Sequence, residues 1–179
     1  MPHSDVVKVI IYGRGGQGAK TAGELIAGAA LMEGKFAQAF PEYGPERRGA
    51  PTRAFVKISK RNIRSHEPVI APDYIIVLDD TLLQGIDISN TVGIINTTKT
   101  EKAFKETYII DASGISQQVM GKDIPNTVLV GSFAKVSGAI KLNSLAEITG
   151  KVFSKKYDNS VIGQNLELLK KGFDEVRKI

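Results

Sequence analysis

The chain has 179 residues, 42% hydrophobic and 24% charged, with a formal net charge of +5 and no cysteine. That composition supports one packed domain over residues 1–179, and it excludes disulfides, a cysteine nucleophile and any cysteine-ligated zinc or iron–sulfur cluster on this chain. No apolar run approaches the ~20 residues that span a membrane, no leader pattern opens the chain, and the basic residues are scattered without an RNA-binding or zinc-finger signature. The expectation is a cytoplasmic protein that engages neither nucleic acid nor membrane.

Val6 to Tyr12 reads as a buried strand. It runs into Gly13-Arg14-Gly15-Gly16-Gln17-Gly18, which has the spacing G-x-G-x-x-G. From Ala19 to Glu33 the residues Ala22, Leu25, Ile26, Ala29 and Met32 recur at helical spacing, and Gly34 suits the C-terminal cap. Lys35 to Phe40 reads as a second strand, completing a βαβ unit with parallel strands. Pro41 to Pro51 holds three prolines and two glycines. It reads as a loop at the same carboxyl edge of the sheet as the glycine turn. Arg53 to Ile58 alternates like a strand, and Lys60-Arg61-Asn62 reads as a hairpin turn into Ile63.

Tyr74 to Leu78, Val92 to Asn96 and Tyr108 to Asp111 follow as buried strands, the first ending in Asp79-Asp80. The rest reads as helical. Asn126 or Thr127 caps a helix through Val136, closed by Gly138. Ser144 with Glu147 fits a capping box, and Ile162, Leu166, Leu169, Phe173 and Val176 form the stripe of a terminal helix. The expected fold class is α/β: a three-layer, Rossmann-like domain with a mostly parallel but mixed central sheet and a helical C-terminal segment.

A glycine-rich turn between a strand and a helix lets the backbone approach a ligand closely. It also presents free N–H groups at the positive end of the helix, a setting made for phosphate. The plainest ligand is a dinucleotide. A nicotinamide site, however, also carries Asp or Glu about twenty residues further on, at the end of the second strand, for the ribose hydroxyls. Here that stretch is Ala37-Gln38-Ala39-Phe40, with no carboxylate. Arg47 and Arg48 lie shortly beyond and keep an NADP reading open. The glycines alone also satisfy a purely structural need for a tight turn and close helix–sheet packing.

The loop Pro41 to Pro51 is the second candidate. Tyr43 offers a ring and a hydroxyl, and Arg47 with Arg48 offers paired guanidiniums suited to phosphate. The alternative is a solvated surface pair. Familiar reaction centres are missing. Ser65 beside His66 lacks a nucleophile elbow, and His3 and His66 lack ligand spacing. Asp79, Asp80 and Asp111 at strand ends have two readings, a carboxylate for chemistry or a cap for the next turn. No catalytic residue and no metal ligand is assigned.

Taken together, Gly13 to Gly18, Phe36 to Phe40, Pro41 to Pro51 and Pro125 to Lys135 resemble the gamma subunit of 2-oxoacid:ferredoxin (acceptor) oxidoreductases of the pyruvate, 2-oxoglutarate or ketoisovalerate type. The resemblance covers nearly the whole chain. It implies a role in oxidative decarboxylation of a 2-oxoacid to acyl-CoA, with alpha, beta and delta subunits as partners and ferredoxin or a related carrier as electron acceptor. It places thiamine diphosphate and the iron–sulfur clusters on those partners, which agrees with a chain free of cysteine. In the single-chain pyruvate members a basic pair stands in the loop that matches Arg47-Arg48, in a domain that helps hold coenzyme A. Gly13, Arg14, Gly15, Gly16, Gln17, Gly18, Tyr43, Arg47 and Arg48 are therefore the expected contacts for coenzyme A in a site shared between subunits. The alternatives are a subunit that only supports assembly, or a free-standing NADP-binding oxidoreductase.

Overall fold

A computed structural model describes residues 5–42, 49–87 and 90–179. The elements in chain order are β1 (Val6–Arg14), α1 (Ala19–Met32), β2 (Phe36–Glu42), β3 (Pro51–Ser59), β4 (Tyr74–Val77), β5 (Val92–Asn96), β6 (Glu106–Ile110), α2 (Ala112–Met120), α3 (Asn126–Ser137), α4 (Leu142–Phe153), α5 (Asn159–Glu175) and β7 (Arg177–Lys178). A 3-10 turn, Asp80–Gly85, lies between β4 and β5.

β1 and β2 point the same way, as a βαβ unit requires, but they do not pair. β3 lies between them and runs antiparallel to both, in the sheet order β2-β3-β1-β4-β5-β6-β7. From β1 through β6 the other pairings are parallel, and β7 closes the far edge antiparallel. The expected hairpin into Ile63 is thus corrected: the partners of β3 are β1 and β2, and Ile63 belongs to no strand. Ala54 through Ser59 are buried on both faces, as a central strand must be. Lys57 is the one charged side chain in this buried stretch. It is only 6% exposed, and its ammonium donates to the Ser65 carbonyl at 3.1 Å.

The loop Pro41–Pro51 is also shorter than expected. Pro41 and Glu42 extend β2, and Pro51 opens β3. An edge strand and a first strand position both tolerate a missing N–H. Tyr43, Arg47 and Arg48 lie outside the described residues.

Side chains alternate across the sheet. Val9, Ile11, Ile76, Leu78, Ile94 and Ile110 face the α-helices. Ile10, Ile75, Val77, Ile95 and Ile109 face the other side, where the third layer consists of the 3-10 turn and extended segments, packed through Val69, Ile86 and Phe104. α3 is buried from Asn126 to Ala134. A Cβ on its Gly131 would strike the main chain of α5 at Leu169, so these two helices approach as closely as glycine allows. Among the described residues no helix is long and apolar enough to cross a membrane.

Helix starts differ from the sequence reading. α2 was not expected. Asp111 opens it by accepting a hydrogen bond from Gly114 N at 2.8 Å, which settles its two readings in favour of the cap. α3 starts without a side-chain cap: Asn126 donates to the Gly18 carbonyl and Thr127 to Asn165 Oδ1. The capping box of Ser144 and Glu147 does not form. α4 begins earlier, and Glu33, just past α1, accepts from the N–H of Lys141 at 2.7 Å. Glu147 pairs with Lys151 instead.

The connections place the site. α1 carries the chain from β1 to β2 across the helical face, whereas the links from β4 to β5 and from β5 to β6 pack on the other face. Right-handed crossovers that travel in opposite directions along a sheet must use opposite faces. The reversal falls between β1 and β4. In open α/β sheets that point opens a crevice at the carboxyl ends of the strands.

Candidate functional site

The glycine turn occupies one side of this crevice. Gly16 and Gly18 have φ of 95° and 85°. Gly18 is the N-cap of α1, which has no side-chain cap and no acidic residue in its first turn. A Cβ on Gly18 would also collide with the amide of Asn126, whereas one on Gly16 would meet open space. The N–H groups of Gly16 and Gly18 make no hydrogen bond among the described residues. With the unpaired first N–H groups of the helix they form an uncapped positive end.

The two polar side chains of the turn face inward. Gln17 Oε1 accepts from the N–H of Arg14 at 2.7 Å, and Gln17 N donates back to the Arg14 carbonyl at 3.0 Å. The Arg14 guanidinium spans the crevice. Nε donates to Asp79 Oδ2 at 2.9 Å, Nη2 to Thr81 Oγ1 at 2.7 Å and Nη1 to the Gly49 carbonyl at 3.2 Å. Gly15 and the chain at 49–50 are stitched together as well. Gly15 N donates to the Ala50 carbonyl at 2.8 Å, and Gly49 N to the Gly15 carbonyl at 3.1 Å. Arg48 is the residue before Gly49 in sequence, so the chain just past the basic pair is anchored on the glycine turn.

The opposite wall is the end of β4. Asp79 caps the 3-10 turn through Thr81 N at 3.0 Å, so the cap reading holds here too. Burial pushes the Asp79 carboxyl up, but hydrogen bonds from Thr81 and Arg14 outweigh it and hold the group below its ordinary range. Asp80 accepts from Thr97 at 2.8 Å and pairs with Lys99. Asn96, at the end of β5, ties the Leu78 carbonyl to Ser113 at the start of α2. Sequence reasoning passed over Asn96 because a lone asparagine at a strand end carries no motif.

On the helical face the glycine turn walls a cleft of about 450 Å³, bounded by the starts of α1, α3 and α5 and the ends of α2 and α4. Lys122 and Lys156 supply positive charge, and Phe153 and Tyr157 an aromatic side. Asn126 lines it too. This residue is 5% exposed, and its Oδ1 is buried with no hydrogen-bond partner among the described residues. The cleft thus combines helix N–H donors, two ammonium groups, aromatic surface and one unsatisfied acceptor, with one carboxylate, Glu24, that pairs with Lys20. Anions carrying a flat or hydroxylated group suit such a lining.

A nicotinamide ribose finds little here. Gln38 sits within β2, one strand removed from β1, and donates to the Ile63 carbonyl at 3.1 Å. β2 does end in a carboxylate, Glu42, but it grips Arg53 with both oxygens.

The sequence matches the pyruvate ferredoxin/flavodoxin oxidoreductase family over residues 8–175. The pyruvate synthase subunit PorC of Thermotoga maritima is 39% identical over 177 residues, covering 93% of this chain and 92% of PorC. The crystal structure of the pyruvate oxidoreductase subunit PORC from the same organism superposes with a TM-score of 0.84 at 34% identity, covering 98% of this chain and 99% of that one. The common gamma subunit of the pyruvate and ketoisovalerate oxidoreductases of Thermococcus kodakarensis is 38% identical, covering 83% of this chain and 88% of its own length. The fold also recurs, at 20% identity and a TM-score of 0.78, in 31% of a longer chain, the 2-oxoglutarate:ferredoxin oxidoreductase of Magnetococcus marinus with 2-oxoglutarate, coenzyme A and succinyl-CoA bound; the match covers 95% of the present chain. An α/β domain with a glycine turn at the switch point of its sheet is the class that the geometry defines. The chain belongs to the pyruvate ferredoxin/flavodoxin oxidoreductase family, among its gamma-type subunits.

Proposed function

We propose that this chain, as the gamma subunit of a 2-oxoacid:ferredoxin oxidoreductase, supplies part of the coenzyme A site and closes the thiamine site of neighbouring subunits. The observation that carries this reading is the cleft beside the glycine turn, where an uncapped helix end, Lys122, Lys156 and the unpartnered Asn126 Oδ1 converge. These groups fit the nucleotide end of coenzyme A: phosphates for the N–H groups and ammoniums, an amino or hydroxyl donor for Asn126. Gly16 and Gly18 form the wall, Gly13 and Gly15 shape the turn behind them, and Tyr43, Arg47 and Arg48 complete the phosphate contacts on this reading. The thiol of coenzyme A accepts the acyl group in this chemistry. Thiamine diphosphate and the iron–sulfur clusters reside on alpha, beta and delta subunits in the cytoplasm, and ferredoxin or a related carrier takes the electrons. This chain binds and orients; it holds no reacting group of its own.

The test is a complex purified through a tag on this chain, carrying Arg47→Ala with Arg48→Ala, or Lys156→Ala. The KM for coenzyme A should rise at least about tenfold, the effect of losing one charge-assisted contact. An unchanged KM in an assembled complex would remove the coenzyme A reading. A second reading, support of assembly, draws on the exposed apolar side chains Ile70, at 91%, and Leu31, at 56%. On that reading Ile70→Asp lowers complex recovery on a sizing column and leaves the KM alone. Equilibrium binding of NADP to the isolated chain would revive the nicotinamide alternative.

A further inference from the structure

We infer that Arg14 is a positioning residue for the coenzyme A site, not one of its phosphate contacts; the inference rests on the reading just given. A guanidinium has five N–H donors in a rigid fork. In Arg14 three atoms of that fork meet three acceptors on two separate stretches of chain: Asp79 and Thr81 at the end of β4, and Gly49. Asp79 is itself oriented, because its other oxygen accepts from both N–H and hydroxyl of Thr81. The main chain of Arg14 is closed off by Gln17 on both its N–H and its carbonyl. The side chain therefore ties the end of β4 to the chain at Gly49 and passes beside the glycine turn on its way.

The consequence concerns geometry. Backbone N–H groups serve an anion only when they are held at the right angle before it arrives. The turn is glycine-rich and would otherwise sample many conformations. Arg14 and Gln17 remove that freedom from one side, and the hydrogen bonds between Gly15 and residues 49–50 remove it from the other. Lysine in place of Arg14 can keep the charge opposite Asp79. It cannot reach Thr81 and Gly49 in the same geometry.

The experiment uses the assembled complex with Arg14→Met, Arg14→Lys and Asp79→Asn. It compares the KM for coenzyme A with that for 3′-dephospho-coenzyme A, and records kcat at saturating thiol. The expected result is a KM raised about tenfold for both thiols in Arg14→Met and Asp79→Asn, with kcat within about twofold. Arg14→Lys should fall between wild type and Arg14→Met. A direct phosphate contact behaves differently: on the 3′-phosphate, Arg14→Met would narrow the gap between the two thiols, and on either the 3′-phosphate or the diphosphate, Asp79→Asn would leave both KM values in place. Either of those results overturns the inference, as does an unchanged KM in Arg14→Met. Should Arg14→Met fail to assemble, the near-isosteric Asp79→Asn and Thr81→Val decide the matter by the same readout. If Lys156→Ala and the Arg47 and Arg48 variants also leave the KM unchanged, the coenzyme A reading itself has failed. If only the Arg14 and Asp79 variants do so, the site stands and the positioning role falls.

Discussion

Arg14 Nε lies 2.9 Å from Asp79 Oδ2, and the two residues stand on either side of the point where the connections of the sheet reverse. The pair joins the first parallel strand to the second at their carboxyl ends. With side-chain exposures of 34% and 19% it is neither buried nor free in solvent. A double-mutant cycle with Arg14→Met and Asp79→Asn, read by chemical denaturation of the isolated chain, should give a favourable coupling of about 1 kcal/mol that weakens in high salt. A coupling indistinguishable from zero would mean that solvent already screens the pair.

The glycines of the turn should separate cleanly on substitution. Gly18→Ala imposes a left-handed backbone on an L-residue and drives a methyl group into Asn126, so it should cost about 3 kcal/mol or more. Gly16→Ala meets the backbone penalty alone, about 1–2 kcal/mol, because nothing stands near its Cβ. Melting temperatures of the two variants, side by side, check the order.

Glu33 fastens α1 to α4. Its Oε1 accepts from Lys141 N, and its Oε2 from Lys35 Nζ at 2.7 Å, which in turn donates to the Ala139 carbonyl at 2.6 Å. Burial raises the Glu33 carboxyl, but hydrogen bonds from Lys35, Lys141 and Ser144 outweigh it, so the folded pKa lies below the ordinary glutamate value. The stabilisation is therefore complete above the ordinary value and is lost as the pH falls through the lowered one. Glu33→Gln should lose about 1–2 kcal/mol at neutral pH. Its stability should also fall less steeply than wild type on acidification below the ordinary glutamate pKa, measured by denaturation at a series of pH values.

Asn96 spends its whole amide on the Leu78 carbonyl and Ser113. Asn96→Ala should cost about 2 kcal/mol, since a half-buried carbonyl and the N–H of Ser113 lose their partners together. Faster amide hydrogen exchange at Ser113 would report the same loss locally.

The strands and the glycine turn were legible because their signals are local: apolar runs of strand length, a G-x-G-x-x-G spacing, an apolar stripe at helical period. Gly34, read as a helix cap, indeed adopts the left-handed conformation with φ of 74°. What escaped was decided over distance. β3 lies between β2 and β1 because it pairs with the distant first strand as well as with its predecessor in the chain, and no local signal marks that pairing. The capping box at Ser144 failed because a carboxylate from another helix took its place. The partners that Arg14 and Gln17 have within the chain also escaped: they lie in the main chain of the turn and in residues 49, 79 and 81, which no spacing rule links to them.

The position of β3 also governs how the protein can assemble during synthesis. β1 and β2 leave the ribosome before β3, yet neither has a native strand partner until residues 51–59 follow. The apolar faces of α1 and β1 can meet early, but two unbridged strands make no sheet. The smallest native sheet these strands can make is three strands wide, β2-β3-β1, and it needs residues 51–59. On its helical face α1 is covered in turn by α3 and α4, which follow much later in the chain, so a fragment ending at Ser59 should stay protease-sensitive while the full chain should not.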